Sequence, residues 1–240
     1  MEYIETNAFW ASDTQQAVRY LTELLGAGAN TLCISVDPFH AEYVATGLPL
    51  SLAKICRDVG FRYFLWQDQY LPALSRLSPE KVYTRSEMES LISQRYILET
   101  ANSYGLSLGG RAISIETEYA KRKPAVSVAD RKPCSNLLSG GHFHVDMLGR
   151  YIPPGCTGIA IPLDEAVNGI PDNKYPVFKT LLTGGSSGLL LYAEALGFKA
   201  DPEGYPSSCA LCFHIRRWLG VNALTSEMDA EHNEASMQYW

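Results

Sequence analysis

The 240-residue sequence contains no apolar run of the roughly 18 residues that a helix needs to cross a bilayer. It also lacks an excess of basic side chains, since 20 lysines and arginines stand against 26 aspartates and glutamates and the net charge is −6. We therefore expect neither a nucleic acid nor a membrane as a partner. The first five residues have neither the basic nor the apolar region of a signal peptide, which predicts a cytoplasmic protein.

The remaining composition is that of a folded protein with more than one part. Apolar residues make up 46% and charged residues 19%, which excludes a wholly disordered chain. Acidic side chains predominate in residues 1–120 and basic ones in residues 121–220, so we expect a domain boundary near residue 120. Residues 221–240 are acidic and are expected to form a solvated tail. The alternative is a docking segment that uses Met237, Tyr239 and Trp240.

Strand-like and helix-like segments alternate in the first 120 residues. The pattern predicts strands at 3–6, 31–36 and 62–66, and helices at 14–25, 49–59 and 85–104. Residues 31–36 are almost continuously apolar, which is typical of a strand buried in a parallel sheet. Such alternation predicts βαβ units, but a complete eight-unit barrel needs roughly 200–250 residues. We therefore expect a partial β/α barrel, an α/β fold, in residues 1–120.

Residues 121–220 have a different character, because glycine, proline, cysteine and histidine become frequent there. A hairpin is predicted between residues 143–147 and 151–152, with Gly149 at the turn. Short helices are predicted at 178–182, 188–196 and 209–219. This part is expected to be a small cysteine-rich α+β extension.

The six cysteines divide into two groups. Cys33 lies in an apolar strand and Cys56 on the apolar face of a helix, so both are predicted to be core residues. The other four occupy polar loops or the start of a helix: Cys134, Cys156, Cys209 and Cys212. The Cys-x-x-Cys spacing places two sulfurs on one side of a first helical turn, and two loop thiolates would complete a four-sulfur site.

Such a site suits either a structural zinc ion or an iron–sulfur cluster. The wide separation of Cys134 and Cys156 in the sequence favours a cluster over zinc. Two alternatives stay open, namely four unrelated thiols and a redox dithiol formed by Cys209 and Cys212.

Polar side chains also follow the predicted strands. Asn7 follows the first strand, Asp37 and His40 follow the second, and Gln67 follows the third. In parallel α/β sheets the carboxyl ends of the strands hold the ligand, so these residues are expected to share one edge. A second stripe places His142, His144 and Asp146 on one strand face, as the polar face of an edge hairpin or as a metal or substrate face.

Three segments resemble the radical SAM superfamily. Residues 4–11 (IETNAFWA) and 34–42 (ISVDPFHAE) resemble successive barrel strands of these enzymes. Residues 144–156 (HVDMLGRYIPPGC) resemble the hairpin of their SPASM or twitch-like C-terminal extensions, which Cys209 and Cys212 would complete. The resemblance implies the second half of a radical SAM barrel followed by such an extension. It also implies SAM-dependent radical modification of a peptide or small molecule.

The resemblance also implies roles for individual residues. Asn7, Ser35 and Asp37 would lie near S-adenosylmethionine at the top of the sheet. An auxiliary [4Fe–4S] cluster would be held by the four loop and helix cysteines, Cys134, Cys156, Cys209 and Cys212.

The sequence departs from the family at two places. It has neither the Cys-x-x-x-Cys-x-x-Cys triplet that binds the catalytic cluster nor the Gly-Gly-Glu segment that binds the methionine end of SAM. We therefore expect that this chain does not cleave SAM alone, and that it is N-terminally truncated or completed by another polypeptide. The alternative function is a non-enzymatic iron–sulfur or zinc-binding scaffold, and a third is a thiol oxidoreductase.

Overall fold

A computed structural model describes residues 2–96, 99, 113–138, 141, 143–146, 148–154, 156, 159–170, 174–222 and 224. The chain divides into two compact units, Met1–Leu106 and Ser107–Trp240. This division lies before the boundary expected near residue 120. All of the expected acidic tail except residues 221, 222 and 224 lies outside the described residues, so its conformation stays a prediction.

The first unit contains an open parallel sheet. Its strands are β1 (Ile4–Thr6), β2 (Thr31–Ser35) and β3 (Arg62–Trp66), in the order β1-β2-β3. The alternation of strands and helices and their parallel pairing are as predicted. In the part of the chain that the structure describes, neither this sheet nor the second one closes into a barrel. The fold is therefore mixed α/β, and a partial barrel stays a hypothesis.

Two long helices pack on this sheet and bury its core. These are α1 (Thr14–Gly26) and α3 (Gly47–Val59). The short α2 (Pro38–Ala41) lies between them in the sequence. As predicted, Asp13 caps α1 and accepts a hydrogen bond from the Gln16 amide at 2.7 Å. Buried apolar side chains from α1, α3 and β2 form one cluster, which includes Leu21, Leu32 and Leu52.

The helix predicted over 85–104 is shorter in the structure. After α4 (Leu71–Leu74), α5 (Arg85–Leu91) begins at a capping box formed by Thr84 and Glu87 and ends at Ile92. The prediction was wrong at 92–95, because an apolar repeat gives no signal for a stop without glycine or proline, but Tyr96 and Glu99 are helical again. Residues 97, 98 and 100–112 lie outside the described part, so the rest stays a prediction.

The second unit contains five α-helices, a short 3-10 helix (Ser135–Leu138) and an antiparallel sheet in its described residues. The helices are α6 (Ile113–Tyr119), α7 (Ala125–Val128), α8 (Leu163–Asn168), α9 (Pro176–Ala195) and α10 (Ser208–Val221). The strands are β4 (His144–Val145), β5 (Arg150–Ile152) and β6 (Ile161–Pro162). The predicted hairpin is confirmed as β4 and β5, and Gly149 adopts a φ of 73° at its turn. None of the described helices is both long enough and apolar enough to cross a membrane.

Two helices predicted separately, 178–182 and 188–196, are the two halves of α9. They are joined at Gly185, whose φ of 58° and ψ of −156° break the helical backbone. A Cβ atom at this position would lie 2.2 Å from the Lys132 carbonyl oxygen and 2.4 Å from that of Asp130. Only glycine therefore permits the chain before Cys134 to lie against the break in α9.

Candidate functional site

The Cys-x-x-Cys pair opens α10, the last described helix. Ser207 caps this helix, and its hydroxyl accepts a hydrogen bond from the Ala210 amide at 3.2 Å. Cys209 is exposed on the first turn, whereas Cys212 is half-buried and packs against the apolar core of the second unit. The two sulfurs share one turn, as predicted, but lie in different surroundings.

Hydrogen bonds to α9 hold the loop that carries Cys134. The Cys134 amide donates to the Leu181 carbonyl at 3.0 Å, and the Asp130 amide donates to the Ser186 hydroxyl at 2.8 Å. The Ser187 amide in turn donates to the Asp130 carbonyl at 2.9 Å. These contacts span the break at Gly185, so the backbone at Cys134 is fixed by the shape of α9.

The hairpin leads into Cys156. Asp146 closes its turn by accepting hydrogen bonds from the amides of Leu148 and Arg150, at 2.9 and 3.0 Å, and from the Arg150 side chain. Burial alone would raise the pKa of Asp146, but these hydrogen bonds outweigh it and lower the pKa. The Cys156 amide then donates to the Pro153 carbonyl at 3.3 Å.

The predicted stripe of polar side chains in this hairpin is therefore wrong in part. Strand β4 contains only His144 and Val145, and Asp146 belongs to the turn, where it pairs with Arg150. His142 lies outside the described residues. The contacts of Asp146 support the interpretation of this segment as the edge of a hairpin.

Three of the four predicted ligand cysteines interact electrostatically with one another and with a buried arginine. Burial raises the pKa of the Cys212 thiol to about 11, and the sulfurs of Cys156 and Cys134 also raise it. The Arg216 guanidinium, which is hydrogen bonded to Cys212, opposes this rise. Cys134, Cys156 and Cys212 thus lie within electrostatic range of one another, and all three pack against the apolar core of the second unit.

Arg216 is the residue of this cluster that the sequence analysis did not predict as part of the site. Its side chain is only 4% exposed, and burial alone would lower its pKa. The sulfurs of Cys156, Cys212 and Cys134 outweigh burial and raise the pKa instead, so the guanidinium keeps its charge. An arginine four residues after Cys212 on an otherwise apolar helix face is the sequence signal that could have identified it.

The predicted four-sulfur site is not assembled in the structure. Within the described residues, which include all four cysteines, no group of three or more His, Cys, Asp or Glu side chains is placed to hold a metal ion. His214 is hydrogen bonded elsewhere, because its Nδ1 atom lies 2.7 Å from the Tyr205 hydroxyl. The metal site therefore stays a prediction.

The remaining two cysteines are core residues, as predicted. Cys33 lies in β2 and Cys56 in α3, and both are buried. Burial raises the pKa of Cys33 to about 12 and that of Cys56 to about 11. Both thiols are thus neutral and shielded at physiological pH.

A separate cleft lies at the carboxyl edge of the parallel sheet in the first unit. It is lined by the predicted Asn7, Ser35, Asp37 and His40, together with apolar side chains and Thr46. Gln67 is not part of this lining, but it follows β3 with a φ of 68°. The prediction that residues after β1 and β2 share one edge is confirmed by this geometry.

Both carboxylate oxygens of Asp37 are hydrogen bonded to residues that follow it in the sequence. Oδ1 accepts hydrogen bonds from the Phe39 and His40 amides, at 2.9 and 3.1 Å, and so caps α2. Oδ2 lies 2.7 Å from Nδ1 of His40. In the part of the chain that the structure describes, the Ser35 hydroxyl has no hydrogen-bond partner. A ligand in this cleft would therefore meet Ser35 and His40 more directly than Asp37.

Comparison with known proteins gives no relative for this chain. No family model matches the sequence, and no curated protein and no solved structure matches it. The resemblance to radical SAM proteins therefore depends on residues 4–11, 34–42 and 144–156 alone.

Proposed function

We propose that the chain acts in SAM-dependent radical modification of a substrate, and that its second unit carries an auxiliary [4Fe–4S] cluster. Cys134, Cys156, Cys209 and Cys212 would hold this cluster. The observation that carries the proposal is that three of these cysteines pack against one core and interact electrostatically with the buried Arg216.

The charge near the cysteines is compatible with bound thiolates. A metal ion or cluster would deprotonate the cysteines that bind it, and four thiolates would leave the centre with a net negative charge. The buried, positively charged Arg216 would offset part of that charge.

The candidate ligands favour an iron–sulfur cluster over zinc, because all four are cysteines. They come from a loop, the segment after a hairpin and a helix, and His214 is hydrogen bonded to Tyr205 instead. Hydrogen bonds to sulfur and local charge are the means by which proteins adjust iron–sulfur clusters. Cys209 would supply the fourth sulfur from the same turn as Cys212. Zinc in an all-cysteine site is the alternative scaffold function.

The dithiol alternative has an observation in its favour. Cys209 is exposed at the first turn of α10 and Cys212 is half-buried behind it, as in reactive Cys-x-x-Cys pairs. That function gives no role to Cys134 or Cys156, although both interact electrostatically with Cys212. The two functions therefore differ in what the loop cysteines contribute.

In this proposal the first unit would bind S-adenosylmethionine at the carboxyl edge of its parallel sheet. Asn7, Ser35 and Asp37 line one cleft at the carboxyl ends of β1 and β2. They would bind S-adenosylmethionine there, while its reductive cleavage needs a cluster held by another segment or polypeptide. When bound, the auxiliary cluster would supply single-electron transfer, and Cys134, Cys156, Cys209 and Cys212 would hold it.

Anaerobic loading of the full chain with iron and sulfide tests this proposal. We expect absorption near roughly 400 nm and about four iron and four sulfide per chain. Cys134→Ala and Cys156→Ala should each abolish or sharply reduce this uptake. Cys33→Ala is the matched control, because Cys33 is buried in the other unit, and it should load like the wild type.

The other outcomes identify the alternatives. A colourless protein that takes up one zinc and no iron would replace the cluster with a zinc scaffold. Disulfide exchange that survives Cys134→Ala and Cys156→Ala, without metal uptake by the wild type, would establish the dithiol function instead.

A further inference from the structure

We propose that the cleft of the first unit binds an uncharged sugar ring, whose hydroxyl groups are held by Thr46 and His40 beside the indole of Trp66. The inference rests on the proposed function in one respect, because it names the class of substrate that the radical chemistry would modify. It uses three residues to which that proposal assigns no role. Binding of the sugar needs no metal, so the inference and the proposed function can fail separately.

Thr46 supplies a hydroxyl group deep in the cleft. The residue is only 7% exposed, and it lines the cleft. It stands at the first position before α3, but its backbone is already helical, with a φ of −61° and a ψ of −20°, and its side chain does not cap the helix. Among the described residues this hydroxyl has no hydrogen-bond partner. Its hydrogen bonds are therefore left for water or a ligand in the cleft.

His40 supplies a nitrogen whose role is fixed by Asp37. Nδ1 of His40 lies 2.7 Å from one carboxylate oxygen, and the other oxygen accepts the amides of Phe39 and His40. Because a carboxylate only accepts hydrogen bonds, Nδ1 carries the proton and Nε2 of the neutral ring is an acceptor. Nε2 makes no hydrogen bond within the described part of the chain, and His40 lines the same cleft. A hydroxyl group of a ligand can donate to it.

Trp66 supplies an aromatic surface beside these polar groups. It ends β3 and pairs in register with Ser35, which lines the cleft, so both side chains lie on the same face of the sheet. Trp66 is 49% exposed. The C–H groups of a sugar ring carry small positive partial charges, which the negative face of an indole attracts. Hydroxyl-binding groups beside an aromatic face match the two kinds of surface that a sugar ring presents.

The charge and size of the cleft favour a small uncharged ligand. Its described lining contains no lysine or arginine that would bind an anion. Asp37 is the one carboxylate in that lining, and two amides and His40 already share its charge. The cleft holds about 210 Å³, including space open to solvent, which is less than the roughly 300–1,000 Å³ of sites for drug-sized molecules. A single sugar ring is a ligand of suitable size.

A metal-free NMR titration of the full chain, labelled with ¹⁵N-histidine, tests the inference with methyl α-D-glucopyranoside as the probe. We expect the Nε2 resonance of His40 to shift and saturate, because a sugar hydroxyl donates to this atom. Tetrahydropyran, a similar ring without hydroxyl groups, should cause no such shift.

Variants of two threonines separate hydroxyl recognition from a general effect on the fold. Thr46→Val keeps the shape of the side chain and removes its hydroxyl, so it should weaken binding about three- to tenfold. Thr22→Val is the matched control, because the Thr22 hydroxyl donates to the Val18 carbonyl on the exposed side of α1, and it should bind like the wild type. Trp66→Ala, at an exposed position, should also weaken binding and gives a second test if Thr46→Val does not fold.

Each outcome decides for or against the sugar site. The absence of a saturable shift, equal shifts with tetrahydropyran, or wild-type affinity in the folded Thr46→Val and Trp66→Ala variants would overturn it. Binding of adenosine without binding of the glucoside would assign the cleft to a nucleoside and overturn it as well. A wild type that binds the glucoside but takes up no iron keeps the sugar site and overturns the proposed function instead. Iron uptake without sugar binding has the opposite meaning.

Discussion

The carboxylate of Glu87 completes the capping box at the start of α5. We expect its hydrogen bonds to be lost at acidic pH. Lys81 donates a hydrogen bond to it at 2.6 Å, and the Thr84 amide donates another at 2.8 Å. The hydrogen bond from Lys81 and those from Thr84 lower the pKa of Glu87 to about 2. A lowered pKa means that the stabilisation is present above the unfolded pKa of roughly 4.3 and is lost as the pH falls towards 2.

A carbon-13 NMR titration of the glutamate carboxyl groups measures this directly. We expect Glu87 to titrate near pH 2, and Lys81→Met and Thr84→Ala should each move its pKa towards the ordinary value. A wild-type Glu87 that titrates with the exposed glutamates would contradict the capping box as described.

The cap at Asp37 predicts a cost in stability that is larger than that of an exposed cap. Asp37 is 6% exposed and its two oxygens serve α2 and His40, so Asp37→Ala leaves backbone amides and an imidazole without a partner. We expect a loss of about 2 kcal/mol in the free energy of unfolding, measured with urea. Asp13→Ala removes the exposed cap of α1 and should cost about 1 kcal/mol. Equal losses in both variants would argue against a special role for Asp37.

At the scale of elements, the break in α9 predicts opposite effects at two adjacent glycines. Gly185→Ala places a Cβ atom 2.2 Å from the Lys132 carbonyl oxygen at a φ of 58°, so we expect a loss of about 3 kcal/mol. Gly184→Ala meets nothing within 4 Å and lies in the helix, so it should be neutral or stabilising by up to about 1 kcal/mol. Urea unfolding of both variants distinguishes these effects.

The same pair of variants reports on the candidate site. Because the segment against Gly185 leads to Cys134, Gly185→Ala should also lower iron uptake, whereas Gly184→Ala should not. Normal uptake by a folded Gly185→Ala variant would show that the position of Cys134 does not depend on the break.

Elements with strong local signals could be predicted from the sequence, and the others could not. The apolar run of 31–36 predicts β2, and Asp13 predicts the start of α1, because both signals lie within the segment itself. The two-residue β6 contains Pro162 and has too little sequence to show a period. The break at Gly185 depends on a backbone approach by residues 130–132, which no local pattern records.

At the scale of the whole molecule, the two candidate sites differ in how far the sequence predicts them. The cleft of the first unit follows from a general rule, since parallel strands end at one edge and bring Asn7, Ser35 and Asp37 together. The cysteine set was predicted as residue types, but the burial of Arg216 and its interaction with Cys212 depend on packing. Whether a charged side chain is buried depends on tertiary contacts, so residue spacing alone cannot predict it.

The two units have separate cores, and all four proposed ligand cysteines belong to the second, so metal should stabilise the second unit selectively. The core of the second unit includes Leu189 and Leu211, whereas that of the first includes Leu21 and Leu52. A ligand at about a hundred times its Kd stabilises the folded form by about 2.7 kcal/mol. Hydrogen exchange with mass spectrometry should therefore slow in α9 and α10 on cluster loading, while exchange in α1 and α3 stays unchanged. Slowing in α1 and α3 alone would place the metal in the first unit, and no change in either unit would mean that the cysteines hold no metal that matters for folding.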